Sequence, residues 1–338
     1  MANCGPDYRY RVYMSGVLVI AERLKRLASV ADFVIIVTLK AGLTELPASD
    51  LDLLASRGVK VRYGRSIWDR FFERDRAVIP NPERAAEKSV MYNKLFAWEM
   101  TEYDAIQYLD ADCMPSGGGG GGGNTMDRYF TQLPRTTFIR GWMSPLQGGW
   151  YLLKPSKQTF DDLIELVRHR YSSEWDPVRS FDLHSERPIK DNQRPCLDDD
   201  QGLFWCYFRY SRRAPPMDYV DHKNTRVSSV QTVERGQVVH RYPGKNFTFR
   251  WEHFGGRFKP WRVCSDPQLV RSLPSIASKH ASHWPSSKLG NFKLYCEVFR
   301  DLQLGPFVKD YMKKPAIDHK SSHKLKHLRH KSSGGLQS

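Results

Sequence analysis

The sequence lacks several features that define common classes of protein. No stretch approaches the roughly 20 consecutive apolar residues of a membrane-spanning helix, and the polar opening, MANCGPDYRYRVYMSG, has no signal-peptide apolar core. The cysteines form no Cys-x-x-Cys pair, which disfavours a structural zinc site. These absences predict a chain without a membrane span. As it stands, its expected location is cytoplasmic, or the Golgi lumen if an N-terminal segment is missing.

Acidic residues are also too few to balance the basic ones. The chain has 52 Lys and Arg against 37 Asp and Glu, a net charge of +15. Such a balance suits polyanions, phosphorylated ligands or an anionic surface, and it equally suits a solvated basic surface. A nucleic-acid partner is disfavoured because the aromatic residues do not cluster with the basic ones. The six widely spaced cysteines predict reduced thiols or one or two optional disulfides.

Hydrophobic periodicity predicts an α/β protein with a mostly parallel central sheet flanked by helices. Predicted strands cover 32–38, 58–64, 104–109, 136–140 and 148–156, and predicted helices cover 16–28, 49–56, 89–100, 157–171 and 199–210. The segment 172–198 is expected to be a long loop, and the pattern weakens from 265. We expect one domain over 8–310 and a basic disordered tail over 311–338.

Seven consecutive glycines occupy 117–123. They match neither a Gly-x-Gly-x-x-Gly fingerprint nor a phosphate-binding loop, because no Lys-Ser or Lys-Thr follows. The tract has no side chains to pack and much backbone entropy to lose on ordering. It is predicted to be a flexible insertion without a chemical role.

Two carboxylates, Asp110 and Asp112, follow the predicted strand 104–109. Alternation along a strand would point both to one side, and ligands of open α/β sheets bind beyond the carboxyl ends of strands. Paired carboxylates repel unless a cation lies between them, and Mg²⁺ or Mn²⁺ prefers such oxygen ligands. The alternative is that Asp112 caps a turn and Asp110 is a surface residue.

Two further segments carry candidate site residues. HFGGRFKPW (253–261) offers the imidazole of His253 to a metal, glycine N–H groups to a phosphate, and the charge of Lys259. DDDQG (198–202) places acids and an amide at a helix start, where they suit sugar hydroxyls. Their structural alternatives are a hydrogen-bonded core histidine, a Gly-Gly turn and ordinary N-terminal helix charges.

Taken in order, these segments resemble the retaining glycosyltransferases of family eight, the relatives of glycogenin and galactinol synthase with a GT-A fold. The segments that carry the resemblance are YMSGVLVIAERLKRL through DFVIIVT (13–38), NKLFAWEMTEYDAIQYLDAD (93–112), NTMDRYF (124–130), QGGWYLLKPSKQTFDDL (147–163), DDQGLFWCYF (199–208) and HFGGRFKPW (253–261). The last segment matches the family's His-Phe-x-Gly-x-x-Lys-Pro-Trp motif at every fixed position. The resemblance spans roughly residues 13–262.

The resemblance implies roles for the metal and the nucleotide. Asp110 and Asp112 would be metal ligands, with His253 as the third protein ligand of Mn²⁺, or of Mg²⁺. The remaining implied donor contacts come from Tyr13, which would stack on uracil, from Lys94, Ala111 and Asp110 beside the nucleotide and sugar, and from Gly256 and Lys259 on the diphosphate.

The resemblance also implies a sugar pocket and an acceptor side. Gln147, Gly148 and Gly149 take the place of the family's Asn-Ser/Ala-Gly, and the longer amide of Gln147 is expected to alter sugar selectivity. Asp200 and Gln201 match the Asp-Gln pair beside the anomeric carbon. Because an amide is a poor nucleophile, Gln201 is expected to stabilise the transition state, and Asp200 to orient the sugar or the acceptor.

The implied activity is transfer of a hexosyl group from a UDP-sugar to an acceptor hydroxyl, with retention and with Mn²⁺. The acceptor would be a glycan, polyol, lipid or protein. One departure concerns the N-terminus, since the family's first strand should run into Tyr13 and the segment here, CGPDYRYRV, is short and charged. Either the true N-terminus is missing or nucleotide binding is weakened, so the alternative is a catalytically weak or inactive GT-A-like binding protein.

Overall fold

The computed structural model describes residues 10–39, 43–73, 76–77, 79, 81–115, 126–140, 146–170, 200–223, 226–234, 237–243, 251–254, 259–279 and 286–312. The expectations for the glycine tract, for 172–198, for Gly256 and for the tail from 313 onward lie outside these residues.

The first half of the described chain alternates helices and strands. Its elements are α1 (Tyr10–Arg26), β1 (Phe33–Thr38), α2 (Ala48–Ala55), β2 (Val59–Gly64), a π-helical turn (Trp68–Phe72), α3 (Pro82–Ser89), a 3₁₀ helix (Val90–Leu95), α4 (Phe96–Glu99), β3 (Ile106–Leu109), β4 (Cys113–Pro115), α5 (Arg128–Gln132), β5 (Thr136–Ile139), β6 (Trp150–Leu153) and α6 (Lys157–Arg170).

The second half begins with α7 and ends in a group of helices. Its elements are α7 (Asp200–Tyr210), β7 (Met217–Lys223), β8 (Arg226–Glu234), β9 (Gln237–Pro243), β10 (Trp251–His253), α8 (Pro260–Cys264), α9 (Pro267–Lys279), α10 (Ser286–Asp301) and α11 (Leu304–Met312). The predicted helices and strands up to 210 are confirmed, with the 89–100 helix divided into 3₁₀ and α parts. Strands β4 and β7–β10, helices α3, α5 and α8–α11, and the π-helical turn had not been predicted.

The fold is α/β, but the expectation of a mostly parallel sheet is wrong. The largest sheet has the order β3-β6-β5-β7-β8-β9, and β5·β7 is its parallel pair. The pairs β3·β6, β5·β6, β7·β8 and β8·β9 are antiparallel. Strands β1 and β2 form a separate parallel pair, and β4 pairs with β10 in antiparallel fashion. A parallel pairing of β5 and β6 would need a crossover connection, usually a helix. The sequence predicts no helix between these two strands, which agrees with their antiparallel pairing.

The buried side chains form clusters on both sides of the six-stranded sheet. Alternation along β6 sends Tyr151 and Leu153 towards α4, α6 and α7, and sends Trp150 and Leu152 to the opposite face. A further cluster joins α1, β1 and β2 to the C-terminal helices α8–α11. Helix α1 contributes apolar residues at Met14, Val17, Leu18 and Ala21, the spacing of one buried helix face.

A disulfide joins Cys264 at the end of α8 to Cys296 in α10. Cys206 is also disulfide-bonded, whereas the buried Cys113 keeps a free thiol. The cysteine spacing had left both reduced thiols and disulfides open. Cys206, Cys264 and Cys296 form disulfides, and Cys113 is a reduced thiol. Within the described residues, no helix is both long and apolar enough to cross a bilayer.

Candidate functional site

The two aspartates lie on a turn between β3 and β4. Strand β3 ends at Leu109, and the amide of Cys113 donates a 2.9 Å hydrogen bond to the Asp110 carbonyl. The amide of Asp110 donates to the Gly149 carbonyl at 2.9 Å, which fixes the start of the turn against β6. The expectation that strand alternation orients both carboxylates is therefore wrong, because the strand stops before them.

Lys94 draws two of the predicted carboxylates together. Its ammonium forms an ion pair with Asp200 and lies 3.7 Å from Asp110 Oδ1. It also donates to the Gly148 carbonyl at 3.2 Å and lies 5.2 Å from the centre of the Tyr108 ring. The side chains of Lys94 and Asp200 are each only 10% exposed. Three segments that are distant in sequence from Lys94 thus converge on its ammonium group.

Burial alone would lower the pKa of Lys94, because it penalises the charged form. The negative charges of Asp110 and Asp200 outweigh that penalty and raise the pKa above its ordinary value. The lysine is therefore held in its charged form at neutral pH. The ammonium neutralises one of the two carboxylate charges and holds Asp110 and Asp200 close together.

Asn93 fixes the helical turn that carries Lys94, a role that sequence reasoning missed. Its buried side-chain oxygen accepts a 2.9 Å hydrogen bond from the Ile67 amide, and its nitrogen donates to Thr38 Oγ1 at 3.2 Å. Thr38 is the last residue of β1, so these contacts tie the lysine's turn to that strand. A polar residue beside Lys94 in an otherwise apolar segment was the available signal.

Lys259 pairs with the second aspartate of the turn, forming an ion pair with the buried carboxylate of Asp112. Pro260 occupies the first turn of α8, a position that proline favours. The amide of Phe254 donates to the Asp112 carbonyl at 2.9 Å. Backbone pairing sets His253 opposite Cys113, so the backbones of the two predicted metal-binding segments are adjacent. The side chain of His253 lies outside the described part of the chain.

Tyr13 is 53% exposed on α1, and its ring meets that of Trp261 edge-on at 5.3 Å. Gly16, on the same helix, allows α1 to approach the aspartate turn. A Cβ at Gly16 would lie 2.2 Å from the Ala111 carbonyl oxygen. This requirement for glycine is a second feature that the sequence analysis missed.

The segment 147–149 contacts the other site residues in three ways. The backbone N–H of Gln147 donates a 2.8 Å hydrogen bond to the Ile139 carbonyl. A Cβ on Gly148 would lie 2.8 Å from both Cγ and Nε2 of Gln201, so the two residues are in close contact. The Gly149 carbonyl accepts from the Asp110 amide and, at 2.9 Å, from the Cys113 thiol. Burial raises the pKa of that thiol, which keeps it protonated.

A cavity of about 950 Å³ opens beside these residues. Its lining includes eight of the predicted site residues or their neighbours, namely Tyr13, Lys94, Asp110, Ala111, Asp112, Asp200, Lys259 and Trp261. Gln147, Gly148, Gly149 and Gln201 are not in that lining, although Gly148 links Gln201 to Lys94. The structure thus brings most of the predicted donor residues to one concave surface, the usual form of a small-molecule site.

The charges of the described site sum to −1, from Asp110, Asp112 and Asp200 against Lys94 and Lys259. Among the described residues there is no group of three His, Cys, Asp or Glu side chains arranged to hold a metal ion. The carboxylates of Asp110 and Asp112 are nevertheless hard oxygen donors that already neutralise a cation each. Their chemistry fits Mn²⁺ or Mg²⁺.

Comparison of the chain with models of known protein families and with curated proteins gives no match.

Proposed function

We propose that the chain is a retaining hexosyltransferase with a GT-A fold, which moves a sugar from a UDP-sugar to an acceptor hydroxyl. The observation that carries the proposal is the convergence of Lys94, Lys259, Asp110, Asp112 and Asp200 on one cavity. Cationic groups suit a diphosphate, carboxylates suit sugar hydroxyls and a divalent cation, and an exposed aromatic ring suits a base.

The donor would lie across the cavity with its base at α1. Tyr13 offers an exposed ring at the cavity edge, supported from one side by Trp261. Stacking on such a ring stabilises a base by about 1–3 kcal/mol. The diphosphate then falls near Lys259, and the sugar near Lys94 and Asp200.

Asp110 and Asp112 would hold a divalent cation, with His253 as a third ligand from the adjacent strand. When bound, that cation would supply Lewis-acid neutralisation of the leaving UDP. Lys259 now neutralises Asp112. In the bound state Lys259 would turn from Asp112 to the diphosphate, where its charge would stabilise negative charge.

The acceptor hydroxyl would attack from the face that UDP leaves, which gives retention through an oxocarbenium-like transition state. Gln201 would stabilise that positive charge with its amide oxygen, in a position maintained by close contact with Gly148. Asp200 is held by Lys94, so it would orient hydroxyl groups instead of attacking.

Calorimetric titration of UDP in the presence of Mn²⁺ tests this assignment. Asp112→Asn keeps the side-chain size and removes the charge, and it should weaken Mn²⁺-dependent UDP binding at least tenfold. Asp301→Asn is the matched control, because Asp301 lies on α10 and pairs with Arg26 at 2.9 Å. Equal UDP affinity in the Asp112 variant and in wild type would contradict the metal assignment.

A second candidate, a binding protein without turnover, is favoured by one observation. Tyr13 lies within α1, where the family resemblance expects a preceding strand. If UDP binds with Mn²⁺ but no donor sugar is released in any assay, this second function replaces the first.

A further inference from the structure

Tyr108 lines the cavity, and the roles proposed above leave it without a part. It lies on β3, two positions before Asp110, and both residues belong to the cavity lining. The hydroxyl of Tyr108 donates a 3.0 Å hydrogen bond to Oδ1 of Asp110. The ammonium of Lys94 lies 3.7 Å from the same oxygen. One oxygen of this carboxylate therefore faces two donor groups of the protein.

The other oxygen of Asp110 faces no such group. Among the described side chains, none donates a hydrogen bond to Oδ2 or forms an ion pair with it. The Asp110 side chain is 30% exposed, so Oδ2 can be reached from the cavity. An ionised carboxylate can accept at both oxygens. The protein thus occupies one side of the carboxylate and leaves the other side for a ligand.

The ring of Tyr108 is held by buried aromatic neighbours. Strand pairing sets Tyr108 directly opposite Tyr151, and the two rings lie parallel within 7° at a centroid distance of 4.7 Å. Tyr151 in turn stacks on Trp98 at 5.5 Å. Both Tyr151 and Trp98 are fully buried. Stacked aromatic pairs are stabilising beyond the area that they bury. The Tyr108 hydroxyl is therefore placed by the core and not by the turn that carries Asp110.

We propose that Tyr108 is a positioning residue for the divalent cation and that it acts through Asp110. This inference rests on the proposed function, because that function supplies the cation. A group that holds a ligating carboxylate from behind fixes its orientation, and loss of such a group typically lowers metal affinity 10–100-fold. The charge-assisted hydrogen bond from Tyr108 holds Oδ1 and leaves Oδ2 to the cation.

A second tyrosine makes the same kind of hydrogen bond away from the cavity. The hydroxyl of Tyr207, on α7, donates to Oδ2 of Asp162 at 2.9 Å. Tyr207 and Asp162 are both buried, and neither lines the cavity. Tyr207→Phe is therefore the matched control for Tyr108→Phe, because each variant removes one phenol hydroxyl from one carboxylate.

Titration of the full chain with Mn²⁺ in the presence of UDP, followed by the EPR signal of the free ion, tests the role of Tyr108. Tyr108→Phe should weaken Mn²⁺ binding at least about tenfold, whereas Tyr207→Phe should bind Mn²⁺ like wild type. A chain with p-aminophenylalanine in place of Tyr108 keeps the ring and an N–H donor, so it should recover most of the lost affinity. A loss of packing alone would not be restored by that donor.

Three results would overturn the inference. They are equal Mn²⁺ affinity in Tyr108→Phe and wild type, an equal loss in Tyr207→Phe, and a loss that p-aminophenylalanine does not restore. Asp112→Asn in the same titration separates this failure from failure of the proposed function. If Asp112→Asn loses Mn²⁺ binding and Tyr108→Phe keeps it, the metal assignment stands and the role of Tyr108 falls. If Asp112→Asn binds Mn²⁺ like wild type, or wild type binds none, both fall.

Discussion

Replacing Lys94 with methionine is the sharpest perturbation that the site allows. Methionine keeps an unbranched side chain, one atom shorter, and removes the charge, leaving Asp200 buried at 10% exposure without its cation. Asp110 is 30% exposed and keeps part of its hydration, so most of the cost comes from Asp200. Breaking a buried ion pair by removing one partner costs about 3–5 kcal/mol. Urea unfolding should therefore show a loss of that size.

The matched control is Lys60→Met, because Lys60 pairs with Asp32 at 2.7 Å on the surface. Exposed pairs contribute little, so the control should unfold close to wild type. Adding Asp200→Asn to Lys94→Met should recover part of the loss, because the uncompensated charge is then absent. Equal unfolding free energies for Lys94→Met and Lys60→Met would refute the argument that Lys94 neutralises the site.

The same lysine predicts a pH dependence. Its folded pKa lies above the ordinary value of 10.5. Its contribution to stability is therefore fully present below pH 10.5 and is lost as the pH rises towards the folded value. Wild type should lose stability above pH 10.5 more steeply than Lys94→Met does. Parallel curves for the two proteins would contradict this.

Three further predictions concern the packing around the site. Gly148→Ala should lower donor turnover at least about tenfold, because the new Cβ would lie 2.8 Å from Gln201. Gly290→Ala is the control and should leave turnover unchanged, because a Cβ there has no atom within 4 Å. Equal turnover rates in the two variants would contradict the contact with Gln201. Gly16→Ala should destabilise the fold by about 1–3 kcal/mol in urea unfolding, since its Cβ would meet the Ala111 carbonyl, and wild-type stability would refute that close approach. Reducing the Cys264–Cys296 disulfide, whose cysteines are separated by 32 residues, should lower the free energy of unfolding by about 3–4 kcal/mol according to the loop-entropy relation. Reductant should therefore lower the Tm of the wild type but not that of a Cys264→Ser/Cys296→Ser variant. An equal shift in both proteins would assign the loss to another disulfide.

The local elements near the site could be predicted because their signals are local. Val34, Ile35 and Ile36 form a β-branched run, and β1 lies there. The apolar spacing of α1 similarly gave its buried face. Helix α9 was missed because Pro274 interrupts its pattern, although Leu269, Val270 and Leu273 keep a helical spacing.

Pairings between distant segments could not be predicted from the pattern. The sequence does not show that β6 lies between β3 and β5, and this placement makes the sheet largely antiparallel. The ion pair of Lys259 with Asp112 joins residues 147 positions apart. Asp110, Asp112 and Lys94 were individually chosen from sequence, but the finding that Lys94 is shared by Asp110 and Asp200, and that Lys259 pairs with Asp112, required the fold.

Release of UDP from a panel of UDP-sugars with Mn²⁺ and without an acceptor tests the central proposal most directly. The donors are UDP-glucose, UDP-galactose, UDP-N-acetylglucosamine and UDP-glucuronic acid, with water as the default acceptor. We expect slow release from one donor, lost on chelation of the metal and in Asp112→Asn but kept in Asp301→Asn. Release from no donor, together with no UDP binding, would contradict it.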